Sequence, residues 1–171
     1  ANKPRHRAIV WACPAHYYTN FTYWAQHCWG VKTVVDMECM LSHHFIHVGD
    51  KKEAMIDLAK SYEKMMMRSH TNGGYQNSLD ECWKMCERFN VNIVIMYDHV
   101  ACKNVGGLHG LFEDQARERG IHLIWVPHDL MDARTVSRRE MREAFNKYMV
   151  NVFREEPLDP SLVDYEDTIA W

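Results

Sequence analysis

A group of residues that can bind metals or transfer protons follows one apolar run in this sequence. Residues 93–97 read Ile-Val-Ile-Met-Tyr, which is the length and composition of a buried strand. The polar residues that follow are Asp98, His99, Cys102, Lys103 and Asn104. Cys102 is a candidate metal ligand or nucleophile, because thiolates perform both roles. The alternative is that Cys102 is a small buried residue without chemistry, as free cysteines often are.

The rest of the chain alternates between segments typical of strands and segments typical of helices. Apolar runs rich in β-branched residues predict strands at residues 7–13, 31–37, 93–97 and 121–126. Apolar residues at helical spacing predict helices at about residues 21–28, 51–68, 79–89, 105–119 and 138–153. We expect the first strand to end before Pro14 and the fourth before Pro127. Capping boxes are predicted at Ser78 with Glu81 and at Ser137 with Glu140.

This alternation predicts an α/β fold. Strands separated by helices favour a parallel sheet covered by helices on both faces, and right-handed crossovers make 2-1-3-4 the simplest strand order. We therefore expect a flavodoxin-like three-layer sandwich around a four-stranded parallel sheet. Ligands of such sheets bind beyond the carboxyl ends of the strands where the order reverses, here between the first and third strands. Cys13 and Cys102 should both lie at that crevice.

Length and charge limit the classes of protein that fit. The 171 residues suffice for a single α/β domain, with residues 1–7 as a linker and residues 155–171 as a tail. A formal net charge of -3 without a basic stripe argues against a nucleic-acid partner. No apolar run is as long as a bilayer span and no secretory signal opens the sequence, so we expect a cytoplasmic protein without a membrane partner. The six cysteines are expected to be reduced thiols.

A second group of possible ligands follows the second strand. Cys39, His43 and His47 are spaced by four, so on a helix they would share one face and could bind zinc. The alternative, which we favour, is a surface or interface loop, because no second ligand pair with structural-zinc spacing accompanies them. Cys82 and Cys86 follow helical periodicity and are expected to be core residues.

Several short motifs occur in order in the second half of the chain. They are His99-x-x-Cys102-Lys103, Gly106-Gly107, the step Gly120-Ile121 into the fourth strand, and the loop Asp129-x-x-Asp132-x-Arg134. In this order and at these separations they resemble the C-terminal domain of the benzoyl-CoA reductase and 2-hydroxyglutaryl-CoA dehydratase family. The resemblance spans most of residues 8–171, and residues 138–142 and 156–160 are more similar to the benzoyl-CoA reductase branch.

This resemblance implies an oxygen-sensitive heterodimer in which each subunit can hold a four-iron, four-sulfur (4Fe-4S) cluster, and an ATP-dependent activator that supplies low-potential electrons. The cluster-ligating cysteine of the family motif corresponds to Cys102. His99, Lys103 and Asn104 would surround the cluster or the acyl-CoA substrate, and Cys13 could be recruited to the same pocket. The other family ligands belong to a region that this chain does not contain. We therefore expect the C-terminal part of a longer subunit, inactive in isolation.

The reaction implied by the resemblance is reduction of an aromatic acyl-CoA. One alternative is a 2-hydroxyacyl-CoA dehydratase subunit that acts through a ketyl radical, and another is a redox-inactive structural subunit of such a complex. A flavodoxin-like nucleotide-binding domain is disfavoured, because Cys13-Pro14-Ala15-His16 stands where a glycine-rich phosphate loop would follow the first strand.

Overall fold

The computed structural model describes residues 3–37, 45–63, 65, 68, 70 and 73–165. Its four strands are β1 (His6–Trp11), β2 (Val31–Asp36), β3 (Ile93–His99) and β4 (His122–His128). All strand pairs are parallel, and the order across the sheet is β2-β1-β3-β4. The predicted α/β class, parallel sheet and strand order are therefore confirmed.

Five α-helices connect or follow these strands in the described ranges. They are α1 (Phe21–Trp29), α2 (Lys51–Glu63), α3 (Tyr75–Phe89), α4 (Lys103–Arg119) and α5 (Arg138–Tyr148), and a π-helical turn over Met149–Phe153 extends α5. The capping box that begins α5 is confirmed, because Glu140 donates its backbone N–H to Ser137 Oγ (3.2 Å) and accepts the Ser137 N–H (2.7 Å). Helix α1 ends at Gly30, whose φ of 75° is left-handed and favours glycine.

The other predicted capping box is wrong. Helix α3 begins at Tyr75, so Ser78 lies inside the helix rather than before it. The Ser78 hydroxyl is buried and accepts a hydrogen bond from Trp11 Nε1 at 3.5 Å. The capping residue is Gly74, which makes no side-chain cap. Ser78 therefore contributes to the packing of α3 against β1 instead of starting the helix.

The sheet separates two apolar cores, which produces three layers. One core lies on the side of α1 and α5 and includes Val10, Ile95, Phe21, Trp24 and Phe145. The other lies on the side of α3 and α4 and includes Ile9, Met96, Leu79, Trp83 and Phe112. Alternate residues of each strand point to opposite cores, as the pleat of a strand covered on both faces requires.

Strand β4 continues past the proline that was expected to end it. Pro127 pairs with Asp98, and His128 pairs with His99. Proline is tolerated here because β4 is an edge strand, where a missing N–H on the outer side breaks no ladder hydrogen bond. The extension brings His128 into the sheet beside His99.

The chain after residue 154 packs on the side of α1. The Leu158 N–H donates to the Cys28 carbonyl at 2.6 Å, and Trp24 Nε1 donates to the Leu162 carbonyl at 2.7 Å. Arg5 Nη1 donates to the Glu156 carbonyl at 2.7 Å, which connects the start of the described chain to the same segment. None of the helices in the described ranges is both long enough and apolar enough to span a bilayer.

Candidate functional site

A cavity of about 410 Å³ lies beyond the carboxyl ends of β1 and β3, where the strand order reverses. This is the position at which open α/β sheets bind their ligands. Most of its described lining is apolar, and most of the lining residues belong to strands β1 and β3, the turns that follow them, and helix α4. The apolar side chains include Trp11, Met37, Met96, Val105, Leu108 and Phe112. The cavity can therefore exclude water from an apolar ligand group.

Cys102 lines this cavity from the N-terminus of α4. It is the N-cap residue of the helix, and its side chain makes no capping hydrogen bond. Its backbone N–H donates to the His99 carbonyl at 2.9 Å, and its carbonyl accepts the Gly106 N–H at 3.1 Å. The helix dipole favours negative charge at this end. The fold thus places a half-buried thiol, which makes no capping hydrogen bond, at the N-terminus of α4 and on the cavity wall.

Cys13 reaches the cavity from the end of β1 through an unusual backbone conformation. Ala12 has a φ of 68°, in the left-handed region that alanine rarely adopts. Both Ala12 and Cys13 line the cavity as a result. The backbone N–H of His16 donates to the Leu130 carbonyl at 3.0 Å, so this loop is joined to the loop that follows β4. Strain of this kind persists where surrounding contacts enforce it.

The structure brings together most of the residues that the sequence singled out. His99, Cys102, Asn104 and Cys13 all line the cavity, whereas Lys103 is exposed on the first turn of α4 and is not among its described lining residues. His99 Nδ1 accepts the Ala101 N–H at 3.0 Å. Because a backbone N–H can only donate, the proton of neutral His99 is on Nε2. His99 can therefore donate one hydrogen bond from that nitrogen.

His128 is a cavity residue that sequence reasoning did not select. Its exposure is 0 %, its ring nitrogens make no hydrogen bond of standard geometry among the described residues, and the backbone of Asp98 lies close enough to favour the protonated ring. Its ring centroid lies 5.2 Å from that of Tyr97 and 5.3 Å from that of His99. Burial, together with the neighbouring His99, lowers the pKa of His128 to about 4. One sequence feature could have identified His128 as a cavity residue. It directly follows Pro127, at the end of the strand that lies beside β3.

Comparison with family models provides the decisive match. The model described as 2-hydroxyglutaryl-CoA dehydratase, D-component, matches residues 1–149. The chain belongs to this family. Searches of curated proteins and of solved structures gave no match. The family predicted from the motifs around Cys102 is confirmed, while the closer similarity to the benzoyl-CoA reductase branch stays a prediction.

Membership in the dehydratase D-component family has direct consequences for what this chain is. It is a subunit of the 2-hydroxyacyl-CoA dehydratase type and functions as part of an enzyme complex. A D-component works with a partner subunit.

An iron–sulfur cluster in this dehydratase-type subunit would need thiolate ligands. Cys13 and Cys102 are the described cysteines that line the cavity. The remaining described cysteines, Cys28, Cys82 and Cys86, are buried in the two cores. Burial raises the pKa of Cys28 to about 12, so this residue is a protonated thiol at neutral pH. The described residues thus fit part of a ligand set, with Cys102 as the best-placed member.

The predicted zinc group falls largely outside the part of the chain that the structure describes. Cys39 and His43 belong to residues 38–44, which lie outside the described ranges. His47 Nδ1 lies 2.7 Å from Asp57 Oδ2 and forms an ion pair or hydrogen bond with it. Within the described ranges, no three His, Cys, Asp or Glu side chains are grouped as a metal site.

The buried His128 predicts a pH-dependent stability. Its pKa of about 4 in the folded chain lies below the 6.5 of an ordinary histidine, so the unfolded chain binds more protons between these values. The free energy of unfolding should be highest above about pH 6.5 and should fall by roughly 3 kcal/mol as the pH drops towards 4. Urea unfolding across this range measures the effect, and His128→Asn should reduce the slope. An equal slope in the variant would assign the effect to other groups, such as His70 and His122, whose pKa values burial also lowers.

Proposed function

We propose that this chain contributes Cys102 as an iron ligand to a 4Fe-4S cluster of an oxygen-sensitive enzyme that reduces an aromatic acyl-CoA of the benzoyl-CoA type. The observation that supports this most is the position of Cys102, at a helix N-terminus facing an apolar cavity at the reversal point of the sheet. The remaining ligands would come from the rest of its own subunit. When bound, such a cluster supplies single electrons at low potential.

The composition of the cavity favours an apolar acyl group. Its described lining contains aromatic rings and thioethers, including Trp11, Phe112 and Met96, and no lysine or arginine. A dicarboxylic acyl group such as 2-hydroxyglutaryl would place a carboxylate there, and burying a carboxylate without a cation is costly. An aromatic or aliphatic acyl group would instead gain from the burial of its surface. This favours the reductase branch over dehydration of a charged 2-hydroxyacyl-CoA.

The dehydratase alternative would use the same cavity beside Cys102. The family match favours a 2-hydroxyacyl-CoA, from which a low-potential electron would generate a ketyl radical that expels the hydroxyl group. Both reactions need the thioester near Cys102 and differ in the acyl group. Assay of the assembled enzyme with benzoyl-CoA and with 2-hydroxyisocaproyl-CoA, under a low-potential reductant, would separate them.

The proposed partners are a homologous second subunit, the remaining part of the same subunit and an ATP-dependent activator. Exposed apolar side chains on α2 and in the segment before it support contact with other protein. Phe45 and Val48 are 89 % and 90 % exposed, and Met55 and Tyr62 on α2 are 63 % and 60 % exposed. Large apolar side chains that are this exposed support contact with another protein surface. An enzyme that depends on ATP and avoids oxygen would act in the cytoplasm.

The proposed role of Cys102 is tested on the chain purified anaerobically with its partners. Iron and acid-labile sulfide are measured together with the electron paramagnetic resonance spectrum for the wild type, Cys102→Ala and Cys13→Ala. Cys86→Ala is the matched control, because it removes a thiol that is buried in a core. We expect Cys102→Ala to lose about four irons per chain and the reduced-cluster signal, since one missing thiolate leaves the cluster without its ligand from this domain.

The Cys86→Ala control shows whether removing any buried thiol, rather than a cluster ligand, lowers the iron content. Cys86→Ala should keep the iron content and the spectrum of the wild type. Full iron content in Cys102→Ala would contradict the proposal and would leave the chain as a redox-inactive structural subunit. The effect of Cys13→Ala decides whether this second thiol is a ligand or only part of the cavity wall.

A further inference from the structure

His99 is a cavity residue whose hydrogen bonds define the state of its ring. Its Nδ1 accepts the Ala101 N–H at 3.0 Å, which leaves the single proton of the neutral ring on Nε2. The Cys102 N–H donates to the His99 carbonyl at 2.9 Å, so the backbone of the same turn is also held. The ring of His128 packs edge-on against it, at 5.3 Å between centroids and an interplanar angle of 90°. The protein itself therefore sets both the tautomer and the orientation of the His99 ring.

The Nε2–H of His99 is available to a ligand. His99 is half-buried and lines the cavity, and its Nε2 makes no hydrogen bond to another described residue. This nitrogen is not buried, unlike both ring nitrogens of His128. Asp129 interacts with His99 by charge, but its Oδ1 accepts the N–H groups of Met131 and Asp132, at 2.9 and 2.8 Å. His99 thus brings an accessible N–H donor to the cavity wall.

The charges around His99 favour a neutral acceptor for this donor. The carboxylates of Asp98 and Asp129 both act on the neighbouring His128, where they favour the protonated ring. The described lining of the cavity contains no lysine or arginine. An anionic ligand group would be repelled by the two carboxylates and would be buried without a cation. A carbonyl oxygen accepts an N–H without either cost.

The ligand in the proposed function carries such an oxygen in its thioester. We propose that the Nε2–H of His99 donates a hydrogen bond to the thioester carbonyl oxygen of the acyl-CoA. This bond places the carbonyl near Cys102 of the same turn, with the acyl group among apolar side chains such as Met96 and Phe112. The inference rests on the proposed function for the identity of the ligand. It assigns His99 to substrate orientation rather than to metal binding.

Two substitutions test the two nitrogens of His99 separately. His99→Asn places a side-chain oxygen where Nδ1 accepts the Ala101 N–H, and it removes the donor at Nε2. His99→Gln is the matched control, because its longer side chain carries an amide N–H to the position of Nε2. Both variants are measured in the assembled anaerobic complex, and urea unfolding of the same preparations checks that the fold is kept.

Two ligands that differ only at the carbonyl report the proposed bond. Benzoyl-CoA contains the thioester carbonyl, and S-benzyl-CoA has a methylene group in its place. By calorimetry we expect His99→Asn to bind benzoyl-CoA about 10-fold more weakly than the wild type, and S-benzyl-CoA within about twofold. His99→Gln should bind both ligands within about threefold of the wild type, because it keeps a donor.

A spectroscopic measurement tests the bond in the wild-type complex itself. The infrared frequency of a ¹³C-labelled benzoyl carbonyl is recorded for benzoyl-CoA bound to the complex and for a benzoyl thioester in an apolar solvent. A donated hydrogen bond should lower the bound frequency relative to that solvent. His99→Asn should return the frequency towards the apolar value, whereas His99→Gln should keep it lowered.

The outcomes separate this inference from the proposed function. Equal weakening of both ligands by His99→Asn, or a bound carbonyl frequency typical of an apolar solvent, would overturn the hydrogen bond while leaving the acyl-CoA site in place. Unchanged benzoyl-CoA binding in His99→Asn would overturn it as well. Failure of the wild-type complex to bind either ligand would overturn both the acyl-CoA site and the role of His99.

Discussion

Leu108→Trp should reduce the affinity of the assembled enzyme for benzoyl-CoA at least 100-fold. Leu108 lies on the second turn of α4 and lines the cavity that begins beyond Cys102. An indole ring at this position would occupy the space that we assign to the acyl group. The cavity of about 410 Å³ gives the ring room without displacing core side chains, so the free energy of unfolding should change by less than about 1.5 kcal/mol. Equilibrium binding and urea unfolding of the same preparations measure the two effects.

The matched control is Leu111→Trp on the same helix. Leu111 is 41 % exposed and is not among the described lining residues of the cavity. The same change of side chain should therefore leave benzoyl-CoA binding within about threefold of the wild type. Comparable losses of affinity in the two variants would mean that α4 as a whole, rather than the volume of the cavity, determines binding.

Phe145→Ala should lower the free energy of unfolding by about 3–5 kcal/mol, the usual cost of removing a buried aromatic ring. Phe145 is 0 % exposed and holds α5 against the sheet. Its ring packs edge-to-face with Phe21 and Trp24, at centroid distances of 5.7 and 5.6 Å. Because domains are stable by only about 5–15 kcal/mol, this loss removes a large part of the total. Urea unfolding monitored by tryptophan fluorescence measures it.

Val150→Ala provides the comparison for Phe145→Ala. Val150 follows α5 in the π-helical turn and is 52 % exposed, so its apolar surface contributes little to the core. We expect a change below about 0.5 kcal/mol. A loss of several kcal/mol in Val150→Ala would show that the outer face of α5 is covered in the folded protein.

The sheet could be predicted from the sequence because few arrangements of βαβ units are physically allowed. Right-handed crossovers and helices on both faces leave the order β2-β1-β3-β4 as the simplest solution. The position of Cys102 followed from the same rule, since polar residues after a buried strand lie at the ligand-binding edge. These predictions depend on patterns that are local in sequence.

The features that were missed depend on contacts distant in sequence. Pro127 was expected to end β4, and only the place of β4 at the edge of the sheet allows the strand to continue to His128. Ser78 has the spacing of a capping residue, but α3 begins three residues earlier, at Tyr75, and the Ser78 hydroxyl contacts Trp11 instead. Lys103 follows Cys102 directly, yet the turn of the helix leaves it exposed. No local pattern distinguishes these cases.

The pairing of β1 with β3 also determines when the cavity can form during folding. Ala8 pairs with Ile93, and the neighbouring contact between Arg7 and Asn92 spans 85 residues of chain. Closing a loop of this length costs entropy that is recovered only when strands and helices pack together, so parallel pairings of this kind form slowly. Cys13 follows the first of these strands and Cys102 follows the second. A bound group can therefore be taken up in this cavity only after the two central strands have paired.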